Sequence, residues 1–476
     1  MTEILTTIDS FVWGPAMIAL LLGTHIYLTF RTGFIQRKLP QAIRMSVRRD
    51  PDGKGDISSF GALATALAAT IGTGSIVGVA TALLAGGPGA IFWMWIAGLF
   101  GIATKYVETY AAVKYRVRDK SGSMLGGAMF VWKRAFARKD GSVPWWATLG
   151  AVVFAAFAII ATIGTGSAVQ SAAISGIVTS SVPAVPAVAV GVVVVVAVAA
   201  VIFGGVNSIA RVCEWLVPFM AGAYALGCVV IMIMNGSVLG EAVGLILECA
   251  FTPKAAFGGA VGSGMIMALQ FGCARGLFSN ESGLGTAPIV AAAAKTRNPA
   301  EQALISMTGA FWSTGVICLL TGLVLVSTMI AHPEIGQQIL ADPSIATGAA
   351  LASAAFAEIP YFGTPILVLG MCSFAYSTIL GWSYYGNRCV AYLFGPKGIK
   401  PYQVVYVAVA FLGAIGVGDV VWTISDIGNA LMAIPNIIVI LLLSGMIARE
   451  TKHFVYDHHL DEEYAEPVPT VDKAQL

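Results

Sequence analysis

The chain has 476 residues, of which 57% are apolar and only 11% charged, with a formal net charge of +2. About a quarter of the residues in soluble domains are charged, so this composition excludes an ordinary soluble protein. The net charge itself names no partner and gives no reason to expect nucleic acid.

The apolar residues come in runs of about 20, the length that crosses roughly 30 Å of hydrocarbon. Alternating ten-residue strands are absent, which excludes a β-barrel. The first residues, Met1 to Leu5, carry no basic region, so the first helix reads as retained rather than cleaved. In chain order eleven spans are expected, near 11–30, 59–86, 88–113, 145–180, 184–204, 209–235, 261–293, 300–330, 361–386, 401–421 and 426–448. The fourth exceeds one crossing and should tilt or carry an extra turn. The seven cysteines lie in or beside apolar runs without CxxC spacing and read as small apolar fillers.

Lys and Arg favour the cytoplasmic side. The segment after the first span carries Arg31, Arg37, Lys38, Arg44, Arg48, Arg49 and Lys54, and the loop after the third carries Lys114, Arg116, Arg118, Lys120, Lys133, Arg134, Arg138 and Lys139. Segment 331–360 has no Lys or Arg but has Glu334, Asp342 and Glu358. These placements put the N-terminus outside and the C-terminus in the cytoplasm.

Two glycine-rich interruptions fall inside these spans: Ile71-Gly72-Thr73-Gly74-Ser75, and a stretch from Cys273 through Arg275, Gly276 and Glu281 to Gly285. A broken helix at membrane depth leaves backbone groups unpaired, which is tolerated where they line a cavity or hold a ligand. With the first span set aside, each break opens a set of five helices. An odd number of crossings inverts the second set relative to the first. The expected architecture is an all-α polytopic membrane protein of eleven helices: one extra N-terminal helix and a 5+5 inverted repeat with two broken helices. Its divisions are 1–58, 59–235, 255–448 and a cytoplasmic tail, 449–476. Half-helix N-termini suit a carboxylate, and facing carbonyls suit an ammonium group or a monovalent cation.

The stretches Gly86 to Glu108 (GGPGAIFWMWIAGLFGIATKYVE), Gly276 to Ala294 (GLFSNESGLGTAPIVAAAA) and Ser377 to Gly386 (STILGWSYYG) resemble the alanine/glycine:cation symporter family. The resemblance covers nearly the whole chain. It implies the leucine-transporter-type fold, sodium-coupled uptake of small neutral amino acids, and a prokaryotic inner membrane. Ser75 and Ser282 depart from the family pattern, which expects Asn and Ala there.

Carried onto this chain, the resemblance implies a carboxylate cradle from the amides of Thr73, Gly74 and Ser75. The ammonium would meet carbonyls around Phe271, Gly272 and Ala274, beside Gly276. Gln170 and Ile174 share one helical face, as do Thr378 and Trp382, and all four could reach the substrate. The coupling ion, Na⁺, would be held by carbonyls of Ala68, Ile71 and Phe374 and hydroxyls of Ser377 and Thr378. No carboxylate is obviously placed at this cage, which favours Na⁺ over H⁺.

Other charged residues divide into structural and functional readings. Lys105 and Glu108 sit three apart and read as a helix pair or a gate. Arg275 and Glu281 flank the second break and, with Glu108, are the gating candidates; they read as a gating or helix-orienting ion pair with each other or with Glu108, or as plain structural charges. His25 has no evident chemistry, and His453, His458 and His459 lie in a tail too loose for a metal site. The chain has no HExxH, no GxSxG and no intramembrane Asp pair, so no enzyme is expected. Proton-coupled symport and a non-transporting amino-acid sensor on the same fold are the alternatives. No obligatory protein partner is evident.

Overall fold

A helix satisfies its own backbone where no water can do so, and the apolar runs accordingly fold as helices almost throughout. The computed structural model describes residues 2–48, 53–252, 264–341, 347–416 and 419–471. Arg49, Asp342, residues 261–263 of the seventh expected span and residues 417–418 of the tenth lie outside the described residues.

The helices that frame the site, leaving aside the shorter Leu39–Ser46, Ala128–Ala135, Leu239–Phe251 and Pro333–Ala341, are α1 (Thr2–Val12), α2 (Pro15–Arg31), α3 (Ser59–Thr70), α4 (Val77–Gly86), α5 (Gly89–Lys114) and α6 (Trp145–Ser181). They continue as α7 (Ala187–Ile202), α8 (Gly205–Met234), α9 (Met265–Asn280), α10 (Ala287–Ala291) and α11 (Pro299–Ala331). The last are α12 (Gly348–Ala357), α13 (Gly363–Phe394), α14 (Ile399–Ala414) and α15 (Asp419–Thr451). By length and composition, seven helices among the described residues can cross a membrane, with shorter apolar helices α3, α4, α7 and α12 beside them.

Glycine sets the closest approaches, as expected where small residues let helix backbones meet. A Cβ on Gly272 would lie 2.3 Å from the Ala90 carbonyl oxygen of α5, and one on Gly276 would lie 2.9 Å from that of Met94. Gly381 of α13 meets Ala69 of α3 in the same way, and Gly413 of α14 meets Ala168 of α6.

Both broken helices are present, and the second break is confined to the C-terminal end of the expected stretch. α3 ends at Thr70, Ile71 turns out of the helix (ψ 77°), and one 3-10 turn, Thr73–Ser75, leads into α4. α9, in contrast, runs unbroken through Cys273 to Asn280. The interruption is the segment 281–286, where Glu281, Gly283 and Gly285 adopt positive φ (54°, 90° and 77°). Left-handed backbone is cheap for glycine and costly for glutamate. Thr286 Oγ1 donates to Glu281 Oε2 across 2.6 Å and helps hold that strained residue.

The long fourth span keeps its length by bulging, with a π-turn at Gly164–Ala168 in the middle of α6. A second lies at Phe311–Cys318 in α11. The connection 331–360, expected as an outer loop, contains α12, which packs on α4; a Cβ on Gly348 would lie 2.4 Å from the Val77 carbonyl oxygen. The tail is also not loose. Tyr456 donates to the Thr32 and Gly33 carbonyls at 2.9 Å, Asn298 Nδ2 donates to the Leu460 and Glu462 carbonyls at 2.8 and 3.0 Å, and the Val471 amide donates to Arg118. It therefore runs as a strap across one face of the bundle.

Candidate substrate and cation site

The first break is built by what its neighbours leave unpaired. The Ser75 amide donates to the Gly72 carbonyl (3.0 Å) and the Ile76 amide to that of Thr73 (3.2 Å). The amides of Gly72, Thr73 and Gly74 make no hydrogen bond among the described residues. The free donors are thus shifted one residue earlier than the expected cradle, because the 3-10 turn consumes the Ser75 amide. Gly72 itself is wedged against α13, since a Cβ there would lie 2.5 Å from Thr378 Oγ1. A Cβ on Gly74 would meet nothing within 4 Å.

A cavity of 1050 Å³ opens at this break. Its floor includes Ala69, Gly72, Thr73, Gly74, Thr378 and Trp382; Gln170 and Thr165 line one wall, and Arg275, Phe278, Glu281 and Leu284 another. It reaches Ser180, Ser181 and Trp422, toward the C-terminal end of α6 and the N-terminal end of α15. Thr73 Oγ1 donates to Gln170 Oε1 (3.1 Å), and Gln170 Nε2 donates to the Thr165 carbonyl (3.1 Å). Trp382 Nε1 donates to the Ala69 carbonyl at 3.3 Å, so the indole stays on the floor.

Ser75 lies behind this surface, with its hydroxyl 3.4 Å from that of Ser279 and its carbonyl accepting from Thr321. Ile174 is packed in the core beside the wall that Gln170 and Ala173 provide. Phe271, Gly272, Ala274 and Gly276, expected around the ammonium group, do not line the cavity. They belong to the continuous helix α9, whose carbonyls are engaged in the helix, and the two glycines serve its packing against α5.

Beside the first break, four neutral oxygens converge. The Ser377 and Thr378 hydroxyls lie 3.2 and 3.0 Å from the Ala68 carbonyl oxygen, and each is 2.9 Å from that of Phe374. Ala68, Phe374 and Ser377 are fully buried. The Ile71 carbonyl, at the turn that ends α3, accepts no hydrogen bond among the described residues. This donor set suits a hard monovalent cation.

The gating candidates separate. Glu108 is off the cavity: it pairs with Lys105 (3.3 Å) and accepts from the Gly283 amide (3.1 Å) and Asn436 Nδ2 (3.0 Å). Arg275 and Glu281 both line the cavity but form no ion pair with each other among the described residues. The Phe278 ring is 6.0 Å from the Arg275 guanidinium, whose field falls on Asp9 and Asp426. Among the described residues, then, Arg275 forms an ion pair with neither Glu281 nor Glu108.

Sequence reasoning missed the α6 bulge, although a signal was available. Thr70–Ser75 and Thr162–Ser167 are the same hexapeptide, TIGTGS. The second copy does not break its helix, because Ser425 of α15 captures it: the Thr165 amide donates to Ser425 Oγ (2.6 Å), and Asn429 Nδ2 donates to Thr165 Oγ1 (2.8 Å). No sequence signal marked Asn436, whose Nδ2 also donates to the Gly283 carbonyl at 2.9 Å.

A membrane-length helical bundle with a cavity at a broken helix defines the class as a membrane transporter rather than an enzyme. The chain belongs to the sodium:alanine symporter family, whose profile matches residues 1–467. It is 47% identical over 457 residues to the sodium/alanine symporter AgcS of Methanococcus maripaludis, covering 95% of this chain and 97% of that one. It is 32% identical to the amino-acid carrier protein AlsT of Bacillus subtilis, covering 94% and 90%. Among solved structures it resembles MhsT in complex with L-phenylalanine (TM-score 0.57, 14% identity, 85% and 94% covered), a similarity of fold.

Proposed function

We propose that this chain is a secondary active symporter that carries a small neutral amino acid, alanine or glycine, into a prokaryotic cell together with Na⁺. The observation that carries this reading is the juxtaposition of the free Gly72, Thr73 and Gly74 amides with the neutral oxygens of Ala68, Phe374, Ser377 and Thr378. The amides and the partial positive charge at the start of α4 receive the substrate carboxylate. Gln170 Oε1 and the Glu281 carboxylate, both on the cavity wall, are the acceptors for its ammonium group. Trp382 limits the side chain, although one methylene in an apolar pocket is worth only ~1–3 kcal/mol. Na⁺ occupies the carbonyl and hydroxyl cluster, with Ile71 as a further donor, and ties α3 to α13.

Transport follows alternating access. The inverted repeats, 59–235 and 255–448, rock about the two breaks, with the extra helix and basic segment (1–58) and the tail (449–476) outside them. Eleven crossings, with the N-terminus outside, agree with the Lys and Arg placement. In that orientation the cavity opens outward.

Counterflow tests the substrate seat. Vesicles holding unlabelled alanine should exchange it for labelled alanine in Na⁺, and Gly74→Val should abolish the exchange. Wild-type exchange by the variant would reject the amide cradle. A second reading, proton coupling, is favoured by the presence of the Glu281 carboxylate on the cavity wall; it predicts that Glu281→Gln uncouples uptake from a pH gradient.

A further inference from the structure

Beyond α15 the chain carries a cluster that transport does not use. The π-turn Lys452–Tyr456 and a left-handed His458 (φ 67°) fold the backbone so that the His453 and His459 rings stack, 4.4 Å between centroids and 11° between planes. Glu462 closes the group, with Oε1 2.7 Å from His459 Nδ1 and Oε2 3.2 Å from His453 Nε2. One ligand atom from each of the three lies within 4.8 Å of the others.

The backbone that presents these side chains is fixed independently of them. The His459 amide donates to the Phe454 carbonyl and the Glu462 amide to that of His459, at 3.1 and 3.2 Å. Asn298, just before α11, holds the Leu460 and Glu462 carbonyls. The donors are thus assembled before any ligand arrives.

Two imidazole nitrogens and a carboxylate suit Zn²⁺ and its first-row neighbours, whereas Ca²⁺ and Mg²⁺ prefer oxygen alone. An arriving ion replaces the protons that now bridge nitrogen and oxygen. In a neutral ring the proton moves to the other nitrogen, and from an imidazolium it leaves to solvent.

We propose that His453, His459 and Glu462 form a site for a transition-metal ion of the Zn²⁺ type on the tail strap. Water completes the coordination. The ion braces the strap where it crosses the ends of α5, α11 and α15, close to the Lys114 contacts with Glu450 and Tyr464. The site does not depend on what the chain transports.

The test uses the full-length protein in detergent micelles, stripped with chelator and titrated with Zn²⁺ alone by calorimetry. Co²⁺ absorption reports on the donor set. Wild type should bind one saturable equivalent. His453→Gln and His459→Gln should each weaken it at least tenfold, while His458→Asn, which removes the adjacent imidazole but tolerates the left-handed backbone, should bind as wild type. Alanine counterflow, measured on every variant, controls for folding. Equal affinity in all four proteins, an equal loss in His458→Asn, or no saturable binding would overturn the site.

Discussion

Thr378 is the side chain at which the two proposed ligand sites meet: its hydroxyl contacts the Ala68 and Phe374 carbonyls and also marks the closest approach to Gly72. Hydrogen bonds to charged groups are worth ~1.5–3 kcal/mol, so losing one oxygen from a cation cage should cost roughly tenfold or more in affinity. Thr378→Ala should therefore raise the Na⁺ half-saturation for uptake by about that factor while leaving the order of preferred amino acids unchanged. Equal half-saturation in variant and wild type would refute the assignment. The two glycines of the first break should behave differently. Gly72→Ala drives a Cβ to within 2.5 Å of Thr378 Oγ1 and should reproduce the Na⁺ defect. Gly74→Ala meets no protein atom within 4 Å, so it should leave stability intact and lower only alanine affinity, as read by binding calorimetry.

At the scale of elements, the second break is a turn clamped from two helices. Glu108 of α5 and Asn436 of α15 share the Gly283 backbone, one accepting its amide proton and the other donating to its carbonyl. Unsatisfied buried polar groups cost ~1–3 kcal/mol, so Asn436→Ala should lower the unfolding temperature in detergent by a few degrees. Glu108→Gln should lower it further, because it strands the buried Lys105 ammonium. Unchanged unfolding temperatures in both variants would contradict the clamp. This turn also marks a limit of the sequence. Glycines at 272 and 276 and glycines at 283 and 285 look alike in a composition window, yet the first pair permits contact with α5 and the second permits positive φ. Which of these a glycine serves depends on a neighbouring helix far away in sequence. Ala68, Phe374, Ser377 and Thr378 were named through the family resemblance, since single hydroxyls and carbonyls in apolar helices carry no local signature of their own.

At the scale of the whole molecule, apolar run lengths reveal the long helices because the bilayer imposes them. The tail strap and α12 stayed hidden because neither has a membrane-length pattern; both are held by partners such as Asn298 and Val77 that lie distant in the chain. Removing residues 457–476 should lower the unfolding temperature and leave alanine affinity unchanged, since the strap does not reach the cavity. Loss of alanine binding in that truncated protein would contradict this separation. The central claim is that a neutral-oxygen cation site drives uptake of a small amino acid. Its most direct test is labelled alanine uptake into proteoliposomes under an inward Na⁺ gradient, an inward H⁺ gradient, or neither. Accumulation with the Na⁺ gradient alone is the predicted result. Accumulation driven by H⁺ alone would shift coupling to Glu281, and the absence of uptake under every gradient would contradict symport.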